Sequence, residues 1–320
     1  MADRVLVTGG AGFIGAHLAR RLLRDGARVT LLDDFSRGVM DEDLRELAHG
    51  SDLVRHDLTQ PIPPGLLTDD FDTVYHLAAV VGVARAMSDP SKVLRTNLLT
   101  TIHLLDYCDR IRPQALFLSS TSEIGDGSAR PGLPTREDTP FTIARPHSPR
   151  ASYALSKAAA EAMVYARTSR FRVRIGRYYN IYGPRMGSAH VIPQFIARIH
   201  ADPFPIYGAY QRRAFCFVED AVEATLALTN LPGAEPIVMN IGNDREEIMI
   251  IDLARRLMAL AGVQRRISVL DPPAGSPERR LPDLAVLRAL LPERTPTSLD
   301  TGLPATLRWY RDRGKLPWRV

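Results

Sequence analysis

Val5-Leu6-Val7-Thr8-Gly9-Gly10-Ala11-Gly12-Phe13-Ile14-Gly15 opens the chain with a short strand, a glycine turn and the start of a helical repeat. Gly9, Gly12 and Gly15 stand three residues apart. Glycine at this spacing permits a tight turn and brings backbone close to a pyrophosphate, while the helix N-terminus turns its N–H groups toward the phosphates. Bare glycines also fit an ordinary tight turn. The strand before them and the helix after them favour a dinucleotide cradle.

Reading outward, Ile14, Leu18 and Leu22 set a helical period over Phe13–Arg24, and Gly26 stops it. Arg28–Leu32 is the second expected strand and ends at Asp33-Asp34. Asp33 lies eighteen residues beyond Gly15, where a carboxylate takes the adenosine ribose hydroxyls and repels the extra phosphate of NADP. NAD is therefore the expected cofactor, although Arg37 is placed where a guanidinium would accept such a phosphate. Further strands are expected at Leu53–Asp57, Thr73–Leu77, Ala115–Ser119 and Arg172–Arg177, with helices around Asn97 and over Tyr153–Thr168. Asp57 and Leu58, after the third strand, are expected at the adenine.

This alternation predicts an α/β fold, a doubly wound parallel sheet of the Rossmann type. After Pro184, frequent prolines break the pattern into short pieces. The expected division is an NAD-binding domain over 1–180, to which some later segments return, and a smaller C-terminal lobe, mainly 181–320. That lobe is expected to bind substrate and close a cleft over the carboxyl ends of the strands. Asp220–Leu228 and Ile251–Leu260 read as helices.

Tyr153 and Lys157, in Ser152-Tyr153-Ala154-Leu155-Ser156-Lys157, fall one turn apart on one helical face. A phenol near pKa ~10 is a poor base at neutral pH, and a neighbouring ammonium favours the phenolate. Beside an oxidised nicotinamide, a tyrosinate can take a hydroxyl proton while the carbon gives up hydride. Only three of the 41 Lys+Arg residues are lysines, so a chance Tyr-x-x-x-Lys match is rare.

Composition narrows the alternatives. The apolar runs fall short of the ~18 residues that a membrane span needs, so no membrane partner is expected. No secretory leader is read. Cys108 and Cys216 match no metal or redox spacing, so no metal site is expected, and a reducing cytoplasm is the expected compartment. The pI of 9.4 comes from dispersed arginines rather than a basic run, so nucleic acid is not expected. The net charge of +5 favours an anionic small substrate.

Together these residues resemble the extended short-chain dehydrogenase/reductase family, in its nucleotide-sugar epimerase, dehydratase and decarboxylase branch. The matching pieces are Thr8–Gly15, Asp33, His76–Ala79, Asn97, Ser119–Glu123 and Tyr153–Lys157, continuing with Arg177–Arg185, Arg212–Phe215 and Arg279–Asp283. The resemblance implies a tightly held NAD, contacted also by Phe13, Ile14, Leu77, Ala78, Ala79, Asn97, Ser119 and Tyr179. It implies Tyr153 as base, Lys157 as its partner and ribose ligand, and Thr121 as the hydroxyl on the sugar 4-OH. Asn180, Arg185, Val191, Arg213 and Arg280 fall where the family holds the nucleotide diphosphate or the sugar, and guanidinium groups suit phosphate through paired hydrogen bonds. A UDP-sugar substrate and a homodimer are implied in the same way.

Every reaction of this branch begins with oxidation at sugar C4. Thr121-Ser122-Glu123 is similar to the loop of UDP-glucuronate decarboxylases. Plain 4-epimerases generally lack the acid, and dehydratases usually carry Asp-Glu where this chain has Ser122-Glu123. The implied chemistry is loss of carbon dioxide from a 4-keto uronate, with Ser122 and Glu123 positioning the ring and carboxylate. Arg280 matches the position of a proposed C5 proton donor, although an arginine is a poor acid at neutral pH.

Two departures stand out. Thr121-Ser122-Glu123-Ile124-Gly125-Asp126 is one residue shorter than the family loop and lacks its tyrosine, and Gly187–Pro193 lacks the family's Asp-Gly-Arg. Arg185 or His190 are the candidates to replace that arginine, and a trimmed site would release a 4-ketopentose. A 4-epimerase, a 4,6-dehydratase and a non-catalytic NAD-binding regulator are the competing readings.

Overall fold

The computed structural model describes residues 2–125, 134–143 and 145–313. Its centre is a seven-stranded sheet. In chain order β1 is Arg4–Thr8, β2 Arg28–Asp33, β3 Asp52–Arg55, β4 Thr73–His76, β5 Ala115–Thr121 and β6 Arg172–Tyr178, and the seventh strand is Ile237–Ile241. Across the sheet the order is Ile237–Ile241, β6, β5, β4, β1, β2, β3. The β1–β2, β2–β3, β1–β4 and β4–β5 pairings are parallel. The chain thus winds outward from β1 in one direction and resumes at β4 in the other. That reversal, beside β1, is where doubly wound sheets bind ligands at their carboxyl ends.

Sequence explains these elements. β5 is buried along its whole length, as a central strand with both faces covered requires. Leu6, Leu32, Val74, Leu116, Leu118, Val173 and Ile175 join one apolar cluster, which Leu104, Leu105, Ala160 and Val164 cover from two helices. Helix α1 (Phe13–Arg24) buries Ala16, Leu18, Ala19 and Leu22. Helices α2 (Glu42–Ala48), α3 (Val83–Ser88), α4 (Pro90–Ile111) and α5 (Ala151–Tyr165) follow, and α4 packs along α5.

Some bounds differ from those read in the sequence. The third strand stops at Arg55 rather than Asp57: Asp33↔Arg55 is its last pair, and Asp57 turns back to accept from the Thr59 N–H at 2.8 Å. α5 ends at Tyr165 rather than Thr168, where Arg167 and Thr168 donate to carbonyls three residues back and tighten the final turn. β5 runs two residues further, to Thr121. Arg174, read only as a strand residue, is fully buried in β6. It donates to the carbonyls of Leu231, Pro232, Gly233 and Glu235 at 2.7–3.4 Å, tying down the turn after the helix Val218–Asn230.

The chain divides into two compact units. Unit 1 holds residues 1–124, 143–177 and 222–239; unit 2 holds 125–142, 178–221 and 240–320. Residues 125–142 fall inside the span assigned above to the first domain. For the described residues 134–142, Thr135 explains the grouping: its N–H donates to the Leu281 carbonyl, and its carbonyl accepts from the Asp283 N–H and the Asn240 amide. Unit 2 contains a small sheet in which Arg212–Ala214 runs between Glu247–Met249 and Arg279–Arg280. Among the described residues no helix is long and apolar enough to cross a membrane.

Candidate active site

In unit 1 the glycine turn leaves no room for side chains. A Cβ on Gly9, whose φ is +70°, would lie 2.7 Å from the Ala78 nitrogen. One on Gly12 would lie 3.0 Å from the Gly9 oxygen, and one on Gly15 only 2.2 Å from it. Gly12 caps α1 without a side-chain hydrogen bond. The turn is therefore bare backbone at a helix N-terminus, and the residues present fit a dinucleotide. Phe13 and Ile14, which open α1, are half-buried.

Asp33, at the end of β2, accepts from the Ala11 N–H at 3.0 Å and from the Phe35 N–H at 2.9 Å. Its carboxylate thus joins the glycine turn to the residues after β2. Arg37 is half-buried near it. Burial and then Arg85 work against its charge, while Tyr153 and Asp33 favour it. Leu77 donates to the Thr8 carbonyl at 3.1 Å, which sets Leu77, Ala78 and Ala79 beside the turn. Asp57 is exposed, whereas the Leu58 side chain belongs to the apolar cluster.

The Tyr153–Lys157 face of α5 is fastened at several points. Lys157 is buried and donates to the Ser119 carbonyl at 2.8 Å. Burial lowers its pKa to about 8, against the opposing pull of Glu161. Ser156 donates to the Tyr153 carbonyl at 2.7 Å and accepts from Asn97 at 3.0 Å. Asn97 also accepts from the Val80 N–H at 2.7 Å and donates to its carbonyl at 3.1 Å. One buried amide therefore joins α4, α5 and the strand-end loop after β4.

His76 bridges Thr8 at 2.8 Å and Thr101 at 3.3 Å. Burial, then the Lys157 cation, pushes its pKa down to about 3, so it is neutral at working pH. The sequence reading placed His76 in a motif without a role of its own, and missed Glu161, which lies four residues beyond Lys157.

At the end of β5, Thr121 and Ser122 are buried, and the Glu123 N–H donates to the Thr121 hydroxyl at 3.2 Å. The Glu123 carboxylate forms an ion pair with Arg150 at 3.9 Å, both side chains about one-seventh exposed. Arg150, at the N-terminus of α5, was not anticipated as a partner of that acid. Asp126, the last residue of the sequence loop, lies outside the described residues.

The remaining predicted residues lie in unit 2. Tyr179 is buried and donates its N–H to the Ile241 carbonyl at 2.9 Å. Asn180 adopts φ +42° and donates its amide to the Ala214 carbonyl at 3.0 Å. Arg185 is buried at φ +68°, and Val191 opens the helix Val191–Ala197, which His190 precedes. Arg213 and Arg280 are register partners on neighbouring strands. Arg279 binds Glu247 at 2.6 Å on the opposite face, which Arg212 shares at 3.8 Å. The Arg213 guanidinium donates to the Pro277 carbonyl at 2.8 Å, the Arg212 carbonyl at 2.7 Å and the Ser276 hydroxyl at 3.3 Å. It holds the 276–278 segment in place while lying beside Arg280.

Known proteins are similar to this chain in sequence and in fold. Residues 5–242 match the family described as the NAD dependent epimerase/dehydratase family. The chain is 34% identical over 316 residues to UDP-glucuronic acid decarboxylase 1 of Xenopus tropicalis, a match covering 96% of this chain and 72% of that one. It is 32% identical over 326 residues to UDP-N-acetyl-alpha-D-glucosaminuronate decarboxylase of Bacillus cytotoxicus, covering 98% and 99%. Among solved structures it is similar to UDP-glucuronic acid 4-epimerase from Bacillus cereus in complex with UDP-glucuronic acid and NAD. There the TM-score is 0.85 at 27% identity, over 97% of this chain and 99% of that one.

Proposed function

The chain belongs to the NAD dependent epimerase/dehydratase family, and from that premise we propose that it decarboxylates UDP-glucuronate after oxidation at sugar C4. NAD supplies the hydride acceptor when bound. Tyr153 takes the 4-hydroxyl proton, and Thr121 orients that hydroxyl. Lys157, fixed to the Ser119 carbonyl, presents its cation to the phenolate. The resulting 4-keto uronate is a β-keto acid, and its C5–carboxylate bond breaks with the electron pair passing into an enolate. A proton is then delivered to C5. Asn180, Arg185, Val191, Arg213 and Arg280 are the proposed contacts to the nucleotide diphosphate and sugar, and two guanidinium residues in register, Arg213 and Arg280, suit a dianionic linker.

The observation that carries the decarboxylase reading is Glu123. It is a largely buried acid two residues after Thr121, paired with Arg150. The decarboxylase relatives support it. A 4-epimerase acting on the same uronate is the second reading, favoured by the likeness to the Bacillus cereus enzyme. A homodimer and a cytoplasmic location accompany the proposal.

Incubation with UDP-glucuronate, with and without added NAD, tests it by NMR and mass spectrometry. Loss of carbon dioxide supports the decarboxylase, and a released 4-ketopentose shows that the shortened site lets its intermediate go. A mass-neutral galacto product overturns the decarboxylase in favour of the epimerase. Glu123→Gln is expected to lower decarboxylation by about 10²-fold, the scale of a lost charged group in a reacting site. An epimerase would retain most of its turnover in that variant.

Turnover is also expected to fall as pH rises through about 8. Lys157 is useful only as a cation, and its lowered pKa means the proton is lost in that range. A pH–rate profile flat between 7 and 10 would reject this role for the ammonium.

A further inference from the structure

Tyr153, Lys157 and Glu161 are spaced four apart along one face of α5, so a carboxylate continues the line of the phenol and the ammonium. Glu161 is not loosely held. It accepts from the Ser120 hydroxyl at 2.5 Å and from Arg177 at 3.0 and 2.8 Å through two guanidinium nitrogens. Both members of that ion pair are about one-eighth exposed. Ser120 neighbours the Ser119 carbonyl that Lys157 grips, and it leads directly into Thr121.

We propose that Glu161 is a positioning residue for Lys157, holding it as a buried cation and locking α5 to the ends of β5 and β6. The inference rests on the reading of Tyr153 as the base that Lys157 serves.

The physical case is a balance of charges. Among the described residues Lys157 donates one hydrogen bond, to a neutral carbonyl, and burial works against its charge. Glu161 opposes that loss. The ionisable groups around this stretch include Tyr153 and Glu161 on α5, His76 on β4, Arg177 on β6 and, toward the Tyr153 end, Arg37. Glu123 and Arg150 pair with each other near the start of the helix. His76 is held neutral and adds no second cation. β5 contributes the Ser119 carbonyl and the Ser120 hydroxyl, and α4 contributes the neutral Asn97 through Ser156. Arg177 donates two hydrogen bonds to the carboxylate and tempers its field, so the two residues should act on Lys157 in opposite directions.

The chain's three lysines make a direct test possible. With 13Cε-lysine label, NAD-loaded protein gives three resonances to titrate, and Lys157→Met identifies the one of interest. Glu161→Gln keeps the shape and, through its one amide oxygen, can still accept from Ser120 and the Arg177 Nε, while it removes the charge and the bond to the second guanidinium nitrogen, and is expected to lower the Lys157 midpoint by about one pH unit. Arg177→Gln is expected to raise it, and it provides the measurement should Glu161→Gln fail to fold. A midpoint unchanged in both variants, or moved the same way in both, overturns the proposal.

Turnover of UDP-glucuronate separates this inference from the one beneath it. The alkaline limb should move with the resonance. A resonance that moves while the limb stays fixed would leave Glu161's hold on Lys157 standing and reject the service of the Lys157 cation to Tyr153.

Discussion

Tyr153→Phe is expected to lower kcat by about 10³-fold with little change in KM, because a positioned general base contributes about 10²–10⁴. The phenol oxygen is the only atom removed. The half-buried ring stays in place on α5, and the bonds of Ser156, Lys157 and Asn97 that fix this helix are left intact. Folding should therefore be preserved, which circular dichroism and an unchanged unfolding midpoint would check. Rapid-mixing measurement of NADH absorbance after addition of UDP-glucuronate isolates the first oxidation. A Phe variant that reduces NAD at the parent rate would end the case for Tyr153 as the base. Lys157→Met should produce a comparable loss, but with a destabilisation of its own through the freed Ser119 carbonyl.

Gly15→Ala is expected to abolish cofactor binding and to lower stability by about 2–4 kcal/mol, the range of a severe overpacking change. The new methyl would stand 2.2 Å from the Gly9 oxygen and 2.9 Å from the Gly10 Cα. Both are backbone atoms, so no side chain can swing aside. Relief requires the turn to open away from α1, and the turn is the surface that cradles the pyrophosphate. Calorimetric titration with NAD should show affinity reduced by at least about 10²-fold, or roughly 2.7 kcal/mol. Gly50→Ala is the control, since its nearest neighbours lie at 3.7 Å and the change should stay within about 0.5 kcal/mol. Equal losses in the two variants would mean that the close packing of Gly15 does not govern the site.

Elements whose signals are local were legible in the sequence. α1 spans Phe13–Arg24 as its period and Gly26 imply, and β2 carries Asp33 at its end. The doubly wound parallel sheet follows from such alternation. Elements with mixed signals were harder. The helix Leu299–Asp312 contains Pro304 within its first turns, and proline there read as punctuation rather than as part of a helix. The strand Ile237–Ile241 follows a proline-containing turn, and what completes it is its place beside β6 rather than a long apolar run.

Long-range partners were not legible at all. Glu161 was visible at helical spacing from Lys157, but its bonds to Ser120 and Arg177 cross 41 and 16 residues of chain. The pairing of Glu123 with Arg150 likewise depends on how α5 meets the end of β5. Arg174 shows the limit most plainly. A guanidinium in the middle of a core strand has no local rationale until the carbonyls of residues 231–235 are brought to it.

Asp33 carries a cost for redesign. A familiar route to a phosphorylated cofactor is to replace the acid after the second strand with a small neutral residue and let an arginine receive the added phosphate. Arg37 is already at hand for that purpose. In this molecule, however, the same carboxylate is the acceptor for the N–H groups of Ala11 and Phe35. Removing it would strip two amides of their partner and slacken the glycine turn at the moment a bulkier ligand is asked to bind there. Coenzyme preference and loop rigidity are thus inherited as one trait, and altering the first calls for a replacement side chain that can still accept from both amides.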